Sequence, residues 1–125
     1  MTARILAARR SAGCPTGGAF AEHDIEDLAA PVITALLDAA DIRADAVDEL
    51  ILGNALGAGG NPARRAALAA GLPNSIAGLT LDRQCLSGLD AIRIATAMVD
   101  SGQARVVIAG GAESHSNRPI RVHRA

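Results

Sequence analysis

The sequence has no tryptophan, no tyrosine and a single phenylalanine. Proteins that grip single-stranded nucleic acid stack bases on aromatic platforms, and this chain has none to offer. Lysine is missing as well, since all 12 basic residues are arginine. That excludes a lysine nucleophile, a Schiff base and a P-loop lysine. No sign of charge dominates: the formal net charge is −1, which gives no reason to expect a phosphate backbone or an anionic membrane surface as partner. The two cysteines, Cys14 and Cys85, are too few for a disulfide framework and do not form a zinc pattern. No apolar run approaches the length that spans a bilayer, and no charged-plus-apolar signal region opens the chain. These absences set the expectations of a reducing cytoplasm, no membrane, no nucleic acid and no metal.

What is present is apolar. Half of the 125 residues are hydrophobic, mostly Ala, Val, Ile and Leu. A chain of this length suits one domain and can bury roughly two thirds of its unfolded surface.

In chain order, Ile5 to Ala8 reads as a first strand and Ser11 to Gly18 as a turn-rich loop. Ile25, Leu28, Val32, Leu36 and Ala39 recur at helical spacing, with Asp24 or His23 at the cap and Glu26 and Asp27 in the first turn. Pro31 falls inside that pattern and predicts a kink, or a true start near Ala30. Asp45 to Asp48 is an acidic connector. Glu49 to Asn54 reads as a second strand, and its unbroken Leu50-Ile51-Leu52 suits a strand buried on both faces of a parallel sheet.

A glycine-rich loop, Gly57 to Gly60, follows, and then a helix capped by Asn61 with Pro62 at its first position and Gly71 at its stop. Strand, glycine loop and helix in this order could suggest dinucleotide binding. The fingerprint's third glycine would fall at Pro62, so a mobile connection is the better reading. Gly78 to Leu81 is a third strand. Ser87 to Ser101 is a helix whose polar stripe holds Asp90, Arg93, Ala97 and Asp100, while apolar residues cover the rest of its girdle. Such a helix is expected to be buried, with Asp90 and Arg93 paired at i and i+3. Arg105 to Ala109 is a further apolar strand running to Gly110-Gly111. The expected fold is therefore α/β: a layered arrangement with a mostly parallel sheet and a buried helix. Residues 1–125 are expected to form one incomplete domain, with a tail from about 117 to 125 that is loose or ordered from outside.

The stretch that carries chemistry is Asp82-Arg83-Gln84-Cys85-Leu86-Ser87-Gly88-Leu89. It puts one cysteine at the junction of the third strand and the apolar helix. A thiol there faces unpaired backbone N–H groups and the positive end of the helix dipole. Both favour the thiolate, the nucleophilic form.

This block resembles the nucleophile motif of the thiolases, in the thiolase and ketoacyl-synthase superfamily, with Cys85 at the acylated position. Four further blocks resemble the same family in the same order. They are Ala7 to Phe20, Asp48 to Asn54, Asn61 to Arg64 with Ala69 to Pro73, and Gly110-Gly111-Ala112-Glu113-Ser114. The resemblance implies a layered thiolase-like half-domain and a two-step acyl transfer. Cys85 would take an acyl group from an acyl-CoA and pass it to CoA or to a second acyl-CoA. Its own backbone N–H would serve as an oxyanion donor. Coenzyme A thioesters are then substrates, with no permanently bound cofactor; which residues hold CoA is not legible.

The departures are Leu86, where the family commonly has a small residue, and His115, where Met is common. The family's second half, which carries the catalytic histidine and a second cysteine, is not found in the sequence. His23, His115 and His123 do not sit in the family's glycine-flanked histidine motif, and Cys14 does not resemble the second cysteine. A homo-oligomer or a complementary thiolase-like chain is the expected partner, and the isolated chain is expected to be inactive. The alternative is a non-catalytic thiolase-like module that acts by interaction.

Other residues have competing readings. Cys14 suits a small buried hydrophobe. His115 could approach the site or sit on a surface loop, and His115 with His123 lacks zinc spacing. Glu113 could be catalytic or could satisfy backbone donors in its turn. Arg64 and Arg65 could meet CoA phosphates or stand solvated.

Overall fold

The computed structural model describes residues 2–125. Its first regular element is α1 (Ile25–Ala40), which begins at Asp24 with a capping box: the Asp24 N–H donates to Asp27 Oδ2 at 3.0 Å. The helix runs unbroken through Pro31, so the start expected near Ala30 is corrected to Ile25. A proline removes one intrahelical bond, and the capping box upstream satisfies the terminal donors that would otherwise make an early start costly. The face turned to the core is Ile25, Ala29 and Ile33, one turn apart. Asp41 ends the helix in the left-handed region at φ 52°.

A single 3₁₀ turn at Ala44–Ala46 leads to β1 (Glu49–Gly53). After it come α2 (Pro62–Ala69), β2 (Ala77–Leu81), α3 (Ser87–Asp100) and β3 (Val107–Gly111). The three strands form one parallel sheet in the order β2-β1-β3, with Gly53 in register with Leu81 and Gly111. Leu50 and Leu52 pack with Ala29 and Ile33 of α1 and with Ala63, Ala66 and Ala67 of α2. Ile51 faces the opposite side and packs with Ala91 and Ala95 of α3. Three consecutive apolar residues are needed because both faces of β1 are covered, as the unbroken pattern predicts.

Small residues set how closely the layers approach. A Cβ on Gly78 would lie 2.6 Å from the Arg64 nitrogen, and one on Gly53 would lie 2.6 Å from Ser87. Glycine at these two strand positions lets the first turns of α2 and α3 rest on the sheet.

Two further expectations are corrected. Residues 5–8 form no strand: Ile5 is 83% exposed and Leu6 66%. A strand needs a neighbour's hydrogen-bonding edge, and this segment meets none among the described residues. Its recorded tie is from Ala3 N–H to Asp100 Oδ1 at 2.6 Å, at the far end of α3. Second, α3 is buried on one face only. Its small residues Ala91 and Ala95 face the sheet, while Leu86, Leu89, Ile92 and Ile94 remain exposed. Residues 117–125 have no regular structure and are exposed, although Asn117 Nδ2 donates to the His23 carbonyl at 2.8 Å and Arg121 Nη2 to that of Leu56 at 3.0 Å.

Candidate active site

In open parallel sheets, ligands bind beyond the carboxyl ends of the strands. At that end of this sheet lie the loops that follow Gly53, Leu81 and Gly111. Cys85 sits on the second of them, exposed, between β2 and α3.

The turn that carries it is cross-linked at nearly every residue. Asp82 Oδ1 accepts the Gln84 N–H at 2.8 Å. The hydroxyl of Ser87 accepts the Arg83 N–H and donates to the Gln84 carbonyl, both at 2.7 Å. The Leu86 N–H reaches the Arg83 carbonyl at 3.0 Å, and the Ser87 N–H reaches that of Gln84 at 3.1 Å. Gln84 itself has φ 49°, in the left-handed region. Asp90, buried one turn into α3, joins Arg83 Nε at 2.6 Å to Arg93 Nη1 at 2.8 Å. The expected Asp90–Arg93 pair is present, and Arg83 makes it a triad. The backbone N–H of Cys85 makes no hydrogen bond among the described residues. It is free to donate to an incoming group at the head of α3.

The other two loops are fastened to each other. Glu113, just after β3, accepts from Asn54 Nδ2 at 2.9 Å, from the Ala55 N–H, and from the Leu56 N–H at 3.3 Å. Asn54 is buried and also donates to the Ala112 carbonyl at 3.1 Å. Of the two readings of Glu113, satisfying backbone donors is the one the hydrogen bonds support. Asn54 and Ser87 are the residues that sequence reasoning missed. Their only signal is position, a polar side chain directly after a buried strand or opening a helix.

The remaining candidates are dispersed. His23, His115 and His123 are all exposed, and no hydrogen bond joins any of them to Cys85 among the described residues. The His23 ring stands edge-on to Phe20, with centroids 6.2 Å apart. Cys14 is half-buried in the first loop. Arg64 and Arg65 are neither free for phosphates nor simply solvated. Arg64 donates to the carbonyls of Ile76 at 2.5 Å and Asn74 at 3.1 Å. Arg65 donates to the Ala58 carbonyl at 2.8 Å and pairs with Glu26, which fastens the glycine loop to α1. No group of three or more His, Cys, Asp or Glu side chains among the described residues is placed to hold a metal ion.

The matching family is described as "Thiolase, N-terminal domain", and it covers residues 3–125. The chain belongs to the thiolase family. Among curated relatives of this thiolase chain, a putative acetyl-CoA C-acetyltransferase, YhfS, of Bacillus subtilis is 48% identical over 96% of the chain and 32% of its own length. A probable acetyl-CoA acetyltransferase of Escherichia coli is 45% identical over 92% of the chain and 30% of its own length. The chain thus spans about a third of the curated relatives it matches. Among solved structures, the Bacillus anthracis acetyl-CoA acetyltransferase superposes with a TM-score of 0.84 at 38% identity, over 87% of this chain and 28% of that one. The Acat5 thiolase of Ascaris suum, solved in complex with coenzyme A, gives 0.83 at 30% identity, over 88% of this chain and 29% of that one. The α/β fold, with its all-parallel sheet, is the thiolase fold expected from the resemblance.

Proposed function

We propose that this thiolase chain carries the nucleophile of an acyl transfer between coenzyme A thioesters. One observation carries the reading: the exposed thiol of Cys85 stands at the carboxyl end of a parallel sheet and at the head of α3, on a turn held by its own hydrogen bonds. The Cys85 thiolate attacks the carbonyl carbon of an acyl-CoA. A carbon–sulfur bond forms to Cys85, the bond to the coenzyme's sulfur breaks, and the departing CoA thiolate takes up the proton that the Cys85 thiol lost on ionising. A second CoA, its thiol proton lost, or the carbanion of another acyl-CoA then bonds to the acyl carbon; the bond to Cys85 breaks and Cys85 leaves as the thiolate, which is reprotonated. Splitting the exchange in this way replaces one difficult displacement by two easier ones. The free Cys85 N–H supports the oxyanion in each step.

Among the described residues none of the three histidines is bonded to the thiol, and all are exposed, so none is placed as its proton shuttle. The shuttle, the second cysteine and the CoA-binding surface come from thiolase-like residues outside this stretch, in the same polypeptide or in a complementary chain. The second reading, an interaction module without catalysis, is favoured by the exposed apolar side of α3. The cytoplasm remains the proposed compartment; no helix among the described residues is long and apolar enough to cross a membrane.

The first test is acylation. Intact-mass analysis of the 125-residue chain after incubation with acetyl-CoA, alone and with cell extract as a source of the complementary residues, should show one acetyl adduct. Peptide mapping should place it on Cys85, and Cys85→Ser should abolish it. If the wild-type chain takes up no acetyl group in either arm, the catalytic reading fails and the interaction reading stands.

A further inference from the structure

Gln84, directly before the thiol, is held at φ 49°, a conformation that side chains other than Asn, Asp and His adopt rarely. A residue stays there only when its surroundings over-determine it. Asp82 Oδ1 holds the Gln84 N–H at 2.8 Å, and one further side chain supplies two bonds of the turn. The hydroxyl of Ser87 takes the Arg83 N–H and gives its proton to the Gln84 carbonyl, both at 2.7 Å. These two groups lie at opposite ends of the Arg83-Gln84 segment, so a single oxygen bridges the segment that contains the strained residue. Ser87 is itself buried, at 5% exposure, and opens α3. Behind it stands Gly53, where even a Cβ would lie 2.6 Å from the Ser87 Cβ. The serine is therefore wedged between the end of β1 and the turn, and it has no room to retreat.

We infer that Ser87 is a positioning residue for Cys85: its hydroxyl holds Gln84 in the left-handed conformation and so sets the thiol at the head of α3. Its consequence for acyl transfer rests on the function proposed above, but the geometry does not. The same set of hydrogen bonds orders the turn whether the thiol meets a thioester or any other electrophile.

The two arms of the test are separable for that reason. Alkylation by iodoacetamide at pH 7 needs no acyl transfer, and Cys14 in the same molecule is the internal reference. The readout is the rate at Cys85 relative to Cys14, followed by peptide mass. Ser87→Ala should lower that ratio about tenfold, the scale of one lost net hydrogen bond, because the turn that sets the thiol at the head of α3 loses two of its bonds. Gln84→Gly in the Ser87→Ala background should restore the ratio to within about threefold of wild type, since glycine adopts positive φ without strain. Gln84→Val leaves Ser87 intact and puts a β-branched residue at that φ. It should lower the ratio as Ser87→Ala does, and it carries the test if Ser87→Ala does not fold.

A Ser87→Ala chain whose ratio stays within about twofold of wild type would overturn the inference. So would a Gln84→Gly rescue that restores nothing, which would place the role of Ser87 in packing rather than in the turn. A Gln84→Val chain alkylated at the wild-type ratio would overturn it as well. If alkylation follows the expected order while acetyl-CoA leaves no adduct, the positioning role holds and the acyl-transfer reading falls.

Discussion

At the scale of single residues, the site depends on short polar side chains that make two or three bonds each. Glu113 is the clearest case outside the cysteine turn. Its carboxylate gathers the Asn54 amide and the backbone N–H groups of Ala55 and Leu56, and so binds the loop after β1 to the loop after β3. All three partners are donors, so only an acceptor-only group satisfies them together. Glu113→Gln presents an NH₂ where one of them expects an oxygen. It should destabilise the fold by about 1–3 kcal/mol, the cost of leaving a half-buried donor unpaired. Urea denaturation of the two proteins checks this, and a shift below about 0.5 kcal/mol, the usual range for an uninvolved surface position, would show the clamp to be dispensable. Cys85 could be singled out from the sequence because a strand and a helix meet at it. Ser87 could not, because its role depends on Gln84 adopting a positive φ, and glutamine gives no sequence signal for that. The Asn54–Glu113 contact joins residues 59 apart in the chain, so no local pattern could reveal it.

Among the elements, legibility followed coverage. The run Leu50-Ile51-Leu52 announced a central strand because its apolar side chains meet helices on both faces. The same composition misled at the ends: Ile5 and Leu6 look like a strand, but pairing depends on a neighbour that their own residues cannot specify. For α3, an apolar girdle says that much of the surface is greasy, and it does not say which side the sheet takes. The sheet takes the alanine side, where the backbones come closest. Elements are also joined end to end by charge. Asp48, at the entry to β1, accepts the N–H groups of Arg105 at 2.7 Å and Val106 at 3.0 Å, just before β3. These bonds, that from Arg105 foremost, hold its carboxyl below the usual aspartate range. A depressed carboxylate contributes stability above its unfolded pKa, near 3.9, and that contribution is lost as pH falls through the folded value. Asp48→Asn should therefore be less stable than wild type at pH 6, and the gap should close by about pH 2. Solvent exposure keeps it under about 1 kcal/mol. Urea midpoints measured across that range decide the matter, since a gap that widens toward acid has the wrong sign.

For the molecule as a whole, the sheet's two faces are unequally finished. The α1–α2 side has a core of large and small side chains packed together, whereas α3 shields its side with alanines and turns a stripe of Leu86, Leu89 and Ile92 outward. These three are 55%, 57% and 42% exposed and lie three residues apart, Leu86 at the cap of α3 and Leu89 and Ile92 on its first two turns. Scattered apolar residues on a surface are ordinary, but a contiguous stripe marks a face that another surface covers. The relatives matched by this chain are about three times its length, which gives room for such a cover. Leu86 also adjoins Cys85 in sequence, so whatever covers the stripe comes close to the thiol. The 125-residue chain should accordingly bind a hydrophobic dye such as ANS, with a several-fold rise in fluorescence. Leu89→Arg with Ile92→Arg should remove most of that rise while changing stability by no more than about 0.5 kcal/mol per position, because exposed side chains contribute little to the core. A wild-type chain that stays dark with the dye would show the stripe to be covered already. A double variant that unfolds would show that the leucine and isoleucine pack inside the chain, contrary to their exposure. If the acyl-transfer reading proposed above holds, cell extract that supports acylation of Cys85 should also quench the dye, because one surface would do both.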